Sequence, residues 1–210
     1  MTKMIIVRHC QAEGNLKRFF QGTIDSDITP EGAAQIAQAA ELLRSEPIDV
    51  IYSSPKIRAV KTAEGINLYH EVELRIEPEI VEIDAGEWEG VLLSEIEKLY
   101  PEQYDNWRNH PEIFQAPGGE SMKQVYDRVK KAVIRIADEN RGKTVCVVSH
   151  GCAIKNIMCF LHGWEVDNIR EVPIGKNTSV NVVTFNDKLE PTILIEDYED
   201  HLRDAESWSF

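Results

Sequence analysis

Short apolar runs alternate with longer helical patterns along most of the chain. Met4-Ile5-Ile6-Val7, Asp49-Val50-Ile51-Tyr52 and Thr144-Val145-Cys146-Val147-Val148-Ser149 are unbroken apolar segments rich in β-branched residues, the mark of strands buried on both faces. Leu74-Arg75-Ile76 predicts a further short strand. Between them the apolar positions take helical spacing. Thr29 as N-cap and Pro30 at the first position open a helix that carries Ala33, Ile36, Ala37, Ala40 and Leu43 to about Arg44. A second helix runs from Lys56 to Leu68, with Ile57, Val60 and Ala63 on its inner side. Leu92–Tyr100 and Tyr104–Asn109 read as short helices separated by Pro101. Glu120-Ser121 leads into a long amphipathic helix (Val125, Val129, Ala132, Val133, Ile136) that Gly142 ends. Ala153–Leu161 is the last helix, and Ser179–Phe185 and Pro191–Glu196 read as edge strands of antiparallel type. Strands alternating with helices predict an α/β fold with a largely parallel sheet.

Two of the buried strands end in the same way. Met4–Val7 runs into Arg8-His9, and Val145–Ser149 runs into His150-Gly151. The strand at 49–52 is followed by Ser53-Ser54-Pro55 and then by Arg58, near the start of the next helix. With right-handed crossovers, these ends share the carboxyl edge of the sheet, where open α/β sheets bind ligands. Arg8, His9, Arg58 and His150 therefore converge. Guanidinium groups match phosphate oxygens with paired hydrogen bonds, and the helix after His150 adds backbone donors and a positive dipole end. The expected ligand is a phosphoryl group. Each residue alone has a plainer reading, a solvated Arg or a structural His; convergence from three strand ends outweighs it.

Composition narrows the partners. The chain has 210 residues and a formal net charge of −13, which argues against nucleic acid and against acidic lipid surfaces as partners. An anion must then be bound by a local positive pocket in a negative body. No apolar run approaches the ~20 residues needed to span a bilayer, and the first residues lack a signal-peptide pattern; a cytoplasmic protein is expected. Cys10, Cys146, Cys152 and Cys159 form no zinc spacing and read as free thiols. A single domain over residues 1–198 is expected, with a helical cap over about 88–120 and an acidic tail over 199–210. The segment Gln11–Ile28 reads as one long loop, of a kind that is often functional.

In order, the chain reads Val7-Arg8-His9, Asn15, Gln21-Gly22, Ile28-Thr29-Pro30-Glu31-Gly32, Ser53-Ser54-Pro55 with Arg58 and Thr62-Ala63, Glu82 with Gly86-Glu87-Trp88-Glu89-Gly90, Pro117-Gly118-Gly119-Glu120-Ser121, and Val148-Ser149-His150-Gly151. This series, covering about residues 4–185, resembles the histidine phosphatase superfamily, the phosphoglycerate mutase-like proteins. The resemblance implies a three-layer α/β/α sandwich with a mixed, mostly parallel sheet. It implies His9 as a nucleophile that becomes phosphorylated, clamped by Arg8, Arg58 and His150. It implies Asn15, Gln21 and Gly22 as further phosphate contacts from the long loop, Gly151 as a backbone donor, and Glu82 as general acid and then base. The residues alone do not choose Glu82 over Glu79, Asp84 or Glu87; the resemblance does. No metal and no cofactor are implied.

The segment Gly86–Gly90 resembles the phosphatase branch. Hydrolysis of a small phosphorylated metabolite is the expected activity, with mutase-type phosphoryl transfer and non-catalytic phospho-ligand binding as the alternatives. Tyr100, Tyr104, Trp107 and Phe114 are candidates for a cap that sees the rest of the substrate, and the late strands for pairing across a homodimer. The chain departs from the family pattern at Cys10, where Gly is usual, and at Gln11 and Ala12, where an acidic residue and Thr are usual. A side chain at position 10 either crowds the phosphate or points into the core.

Overall fold

The computed structural model describes residues 1–202. Six strands form one sheet in the order β3-β2-β4-β1-β5-β6: β1 (Thr2–Arg8), β2 (Val50–Ser53), β3 (Glu73–Ile76), β4 (Thr144–Ser149), β5 (Val180–Phe185) and β6 (Pro191–Tyr198). The pairs β3/β2, β2/β4 and β4/β1 are parallel; β1/β5 and β5/β6 are antiparallel. The late strands are thus antiparallel as expected, but only β6 lies at the edge. β5 is paired on both sides.

Because side chains alternate across a strand, each buried strand feeds two cores. Ile5, Val7, Ile51, Cys146 and Val148 face one way, toward Ala59, Ala63 and Ile66 of α3 (Ile57–Asn67) and Leu43 of α2 (Pro30–Leu43). Met4, Ile6, Tyr52, Val145 and Val147 face the other way. They meet Val129, Val133 and Ile136 of α6 (Met122–Glu139) and Ile157 of α7 (Gly151–Leu161). This is the three-layer α/β/α sandwich.

The helix starts follow capping chemistry. Thr29 Oγ1 accepts the Gly32 N–H at 3.0 Å, with Pro30 in the first position. Ser121 and Gln124 form a reciprocal capping box at the start of α6. Two differences from the sequence reading have local causes. The loop over 11–28 contains a one-turn helix, α1 (Glu13–Lys17), closed by Asn15 Oδ1 accepting the Ala12 N–H at 3.0 Å. Pro101 does not separate two helices. It begins the second one, α5 (Pro101–Asn109), directly after α4 (Leu93–Leu99), because the missing N–H of proline is harmless at a first helical position. The last helix likewise starts earlier than its apolar pattern suggests, at Gly151. From residue 203 onward the expected acidic tail lies outside the described residues.

Residues 88–120 carry α4 and α5 over one end of the sheet. An aromatic cluster roots them: Trp88 is fully buried, with Phe20 at 5.6 Å, Phe114 at 5.1 Å and Trp107 at 6.4 Å between ring centroids. Gly86, at φ +51°, permits the close approach of this segment to the 117–119 turn. A Cβ there would sit 2.2 Å from the Pro117 carbonyl oxygen. The buried Trp88 indole N–H has no acceptor among the described residues, so the ring body, not a hydrogen bond, holds the cluster. Trp88→Ala is expected to cost about 3–5 kcal/mol and Trp88→Phe less than half of that, read by urea unfolding; equal losses would contradict this account.

Candidate active site

Three parallel strand ends lie side by side. Arg8 of β1 is in register with Ser149 of β4, and Ser53 of β2 with Val148. His9 and His150 follow β1 and β4 directly, so their rings come to 5.0 Å. Ser54, next after β2, places its Oγ 2.6 Å from His150 Nε2. Arg58 enters from the first turn of α3. The convergence expected from the strand ends is the arrangement found.

His9 is fixed in position and tautomer. Its N–H donates to Ser149 O at 2.8 Å, and its carbonyl accepts from Asn177 Nδ2 at 2.8 Å. The Nδ1 atom lies 2.6 Å from the Cys10 carbonyl oxygen. A carbonyl only accepts, so Nδ1 carries the hydrogen and Nε2 keeps its lone pair. Burial holds the imidazole well below its ordinary pKa of 6.5, and repulsion from Arg58 and Arg8 adds to this. His150 is held down in the same way, by burial first and then by Arg58. At neutral pH both rings are uncharged, so the positive charge of the site comes from the arginines.

Arg58 donates to Ile24 O at 2.8 Å and to Gly22 O at 3.0 Å. These bonds draw the 18–28 segment over the site and bring Gln21 and Gly22 with it. Arg8 donates to the Gly175 carbonyl, and its burial lowers its pKa to about 10 against the supporting charges of Glu82 and Asp197. Gln21 Oε1 accepts from Ser26 Oγ at 2.5 Å, and Asn15 Oδ1 caps α1. Each amide therefore has its NH2 end left as the donor.

Glu82 sits at the amino end of α7. Its carboxylate accepts the N–H groups of Cys152 and Ala153, both at 3.1 Å, and of Ile83 at 3.0 Å. The backbone donors expected at the α7 terminus are thus shared with Glu82. Two of its first N–H groups are bound to Glu82, because a nearby carboxylate satisfies them in the folded protein. Arg128 holds the Glu82 loop. It donates to the carbonyls of Glu79 (2.8 Å), Val81 (2.8 Å) and Glu82 (3.1 Å), and pairs with both oxygens of Glu120 at 2.8 and 2.9 Å. Glu120 in turn accepts the Asp84 N–H at 2.9 Å.

The resulting cavity, about 40 Å³, is lined by Arg8, His9, Asn15, Gln21, Gly22, Arg58, Glu82 and Gly151, all named from the sequence. His150 is not on its wall; it is fully buried behind His9. Gly151 lies against Arg8, where an added Cβ would meet the guanidinium carbon at 3.5 Å. Phe20, Trp107, Cys152 and Ile174 complete the lining. Of the aromatic candidates, Trp107 reaches the cavity, whereas Phe114 is core. Sequence reasoning missed Arg128, Glu120, Cys152 and Ile174. Arg128 sits in an ordinary charged pattern, Glu120 carried no role within the Pro117–Ser121 motif, and Cys152 and Ile174 are placed only by tertiary folding. Cys10 points away from the cavity. Its thiol is buried toward α2 and α3, with burial raising its pKa to about 11, so the departure at position 10 leaves the anion space open.

Fold and site together define an α/β protein with a pocket at the carboxyl edge of its sheet, lined by two buried arginines and a neutral imidazole. The family model for the histidine phosphatase superfamily, branch 1, matches residues 4–195. Phosphoserine phosphatase 1 of Hydrogenobacter thermophilus is 38% identical over 166 residues, covering 79% of each chain. The solved structure of Bacillus stearothermophilus YhfR superposes with a TM-score of 0.92 at 27% identity, covering 97% of this chain and 100% of that one. A phosphoserine phosphatase mutant from Entamoeba histolytica, solved with phosphoserine, superposes with a TM-score of 0.85 at 27% identity over 97% of this chain and 100% of that one. The chain belongs to the histidine phosphatase superfamily, and its sandwich is the phosphoglycerate mutase-like fold. Among the described residues, no helix is long and apolar enough to cross a membrane.

The two neutral imidazoles make stability depend on pH. In the unfolded chain each titrates near 6.5, whereas the folded values are far lower. Below 6.5 the unfolded state takes up protons that the folded state does not, so stability falls as pH falls, by up to ~1.4 kcal/mol per imidazole per pH unit. His9→Gln removes one such group. Urea unfolding at pH 6.5 and 5.5 is expected to show a loss about 1 kcal/mol smaller for this variant than for the wild type; the same loss in both would mean that His9 is not held neutral.

Proposed function

We propose that this member of the family, a hydrolase acting on phosphomonoesters, works through a phosphohistidine on His9 with Glu82 as acid and base, and that its substrate is a small phosphorylated metabolite. The observation that carries the reading is the His9 ring itself: Nδ1–H bound to Cys10 O, Nε2 with its lone pair, and two buried guanidiniums beside it.

The chemistry follows from that arrangement. Nε2 attacks phosphorus in line with the ester oxygen; the N–P bond forms as the P–O bond breaks. The leaving alkoxide takes a proton from the Glu82 carboxyl. Charge on the equatorial phosphoryl oxygens is met by Arg8 and Arg58, the amide NH2 groups of Asn15 and Gln21, and the Gly151 N–H. With the Ser54 hydroxyl donating to Nε2 of His150, the Nδ1 of that ring carries the hydrogen; it is buried behind His9 and has no partner among the described residues. The Glu82 carboxylate then deprotonates a water that attacks phosphorus. The N–P bond breaks, inorganic phosphate leaves, and His9 returns neutral. The arginines supply the charge that a metal ion supplies in other phosphatases.

The likeness of the Gly86–Gly90 segment to the phosphatase branch supports hydrolysis over transfer, and the relatives named as phosphoserine phosphatases agree with a small substrate. The purified protein is expected to release phosphate from p-nitrophenyl phosphate with chelator present. His9→Ala should lower the rate roughly 1,000-fold or more. Rapid quench with ³²P-labelled substrate should trap an acid-labile phosphoenzyme in the wild type and none in His9→Ala. Full activity in His9→Ala would sink the mechanism. Bisphosphate-primed exchange between phosphoglycerates without hydrolysis would replace it with the mutase reading.

A further inference from the structure

The cavity does not end at the phosphate site. Trp107, Cys152 and Ile174 form its outer wall, and the same three residues wall a second hollow of about 200 Å³ beside it. That hollow also receives two cations, Arg108 from α5 and Lys155 from α7. Lys155 follows Gly151 and Cys152 by four and three residues. It therefore stands on the same helix face, about 5–6 Å further along, one turn beyond the residues that touch the phosphate space.

Acidic residues outnumber basic ones, 36 to 23, yet the side chains of Arg108 and Lys155 have no hydrogen bond and no ion pair among the described residues. Lys155 is partly buried, and desolvation lowers its pKa. Glu171 acts on this ammonium only at a distance, in no ion pair, and a partly desolvated ammonium without a direct partner is unfavourable. An anion in the hollow would supply the counter-charge, and because Trp107, Cys152 and Ile174 wall both spaces, a molecule with its phosphoryl group at His9 extends toward it.

We infer that the Arg108–Lys155 hollow is a subsite for a carboxylate of the substrate, so that the preferred substrates are small phosphorylated acids and not neutral or cationic phosphate esters. This rests on the phosphatase reading of the adjoining site. The carboxylate accepts from the guanidinium and the ammonium, while Trp107 and Ile174 flank the short carbon skeleton between the two anionic ends.

Phosphoserine and phosphoethanolamine differ only by a carboxylate and test this directly. The wild type is expected to show a kcat/KM for phosphoserine about ten-fold or more above that for phosphoethanolamine. Lys155→Met and Arg108→Gln should each lower that ratio about ten-fold, mainly through KM for phosphoserine. The ratio cancels any general loss of folded protein, so an equal fall for both esters counts against the subsite. No preference in the wild type, or an unchanged ratio in both variants, overturns it. Calorimetry on His9→Ala, alone and combined with Lys155→Met, reads the same ratio as Kd without turnover. Equal binding of the two esters, or binding of neither, also overturns the subsite. Failure of hydrolysis with the Kd ratio intact overturns only the phosphatase reading.

Discussion

Two guanidinium groups lie almost wholly out of water, Arg8 at 2% and Arg58 at 1% exposure, and keeping them there charged organises the site. A buried charge is tolerated only when it is paired and hydrogen-bonded. Arg58 meets this condition with the carbonyls of Gly22 and Ile24, which fixes the course of the segment that carries Gln21. Arg8 meets it with the Gly175 carbonyl and the nearby charges of Glu82 and Asp197. Burial beside these cations is what keeps His9 and His150 uncharged. The imidazole lone pair and the pair of guanidiniums that the proposed mechanism uses are therefore consequences of one electrostatic arrangement, not two separate devices.

The same arrangement constrains Glu82. Its charge acts on Arg8 and Arg58 alike. The carboxylate is held by backbone N–H groups at the start of α7, and its own backbone is held by Arg128, which Glu120 orients. Neither Arg128 nor Glu120 lines the cavity. They set where the carboxylate stands before any substrate arrives, and pre-set geometry of this kind separates a productive site from one in which the groups are merely present.

The parts of this plan legible in the sequence were the local ones. β1 and β4 announce themselves as apolar runs because they are buried on both faces, and their ends at Arg8-His9 and Ser149-His150 carry the chemistry with them. Thr29-Pro30 and Ser121 mark helix starts because capping is settled within four residues. What stayed hidden depends on distant partners. The α1 turn forms where Asn15 folds back on Ala12, and no apolar period betrays it. Arg128 reads as one more charge on an amphipathic helix until α6 is laid beside the 79–84 loop. Glu82 was distinguished from its acidic neighbours only by the family order, since its partners on α7 lie some seventy residues away. Position 10 was open between site and core until the chain was folded, and the α2–α3 side took the thiol.

The net charge of −13 would oppose an anionic ligand if charge acted at long range. It does not: at physiological ionic strength the screening length is about 8 Å, so carboxylates on the far surfaces contribute little at His9. What a phosphate meets is the local set of Arg8 and Arg58, already desolvated and already hydrogen-bonded on their outer edges. Low local dielectric strengthens those contacts, and the neutrality of the imidazoles leaves the site less positive than four cations would make it. The acidic exterior acts on the field at a distance from the site, while on the proposed reading selection among phosphate esters falls to the second hollow beyond Trp107. Discrimination between substrates is in this way separated from the phosphoryl chemistry. The clamp is built by the strand ends, whereas Arg108 and Lys155 line only the second hollow and not the phosphate cavity, so they can change without disturbing the sheet edge.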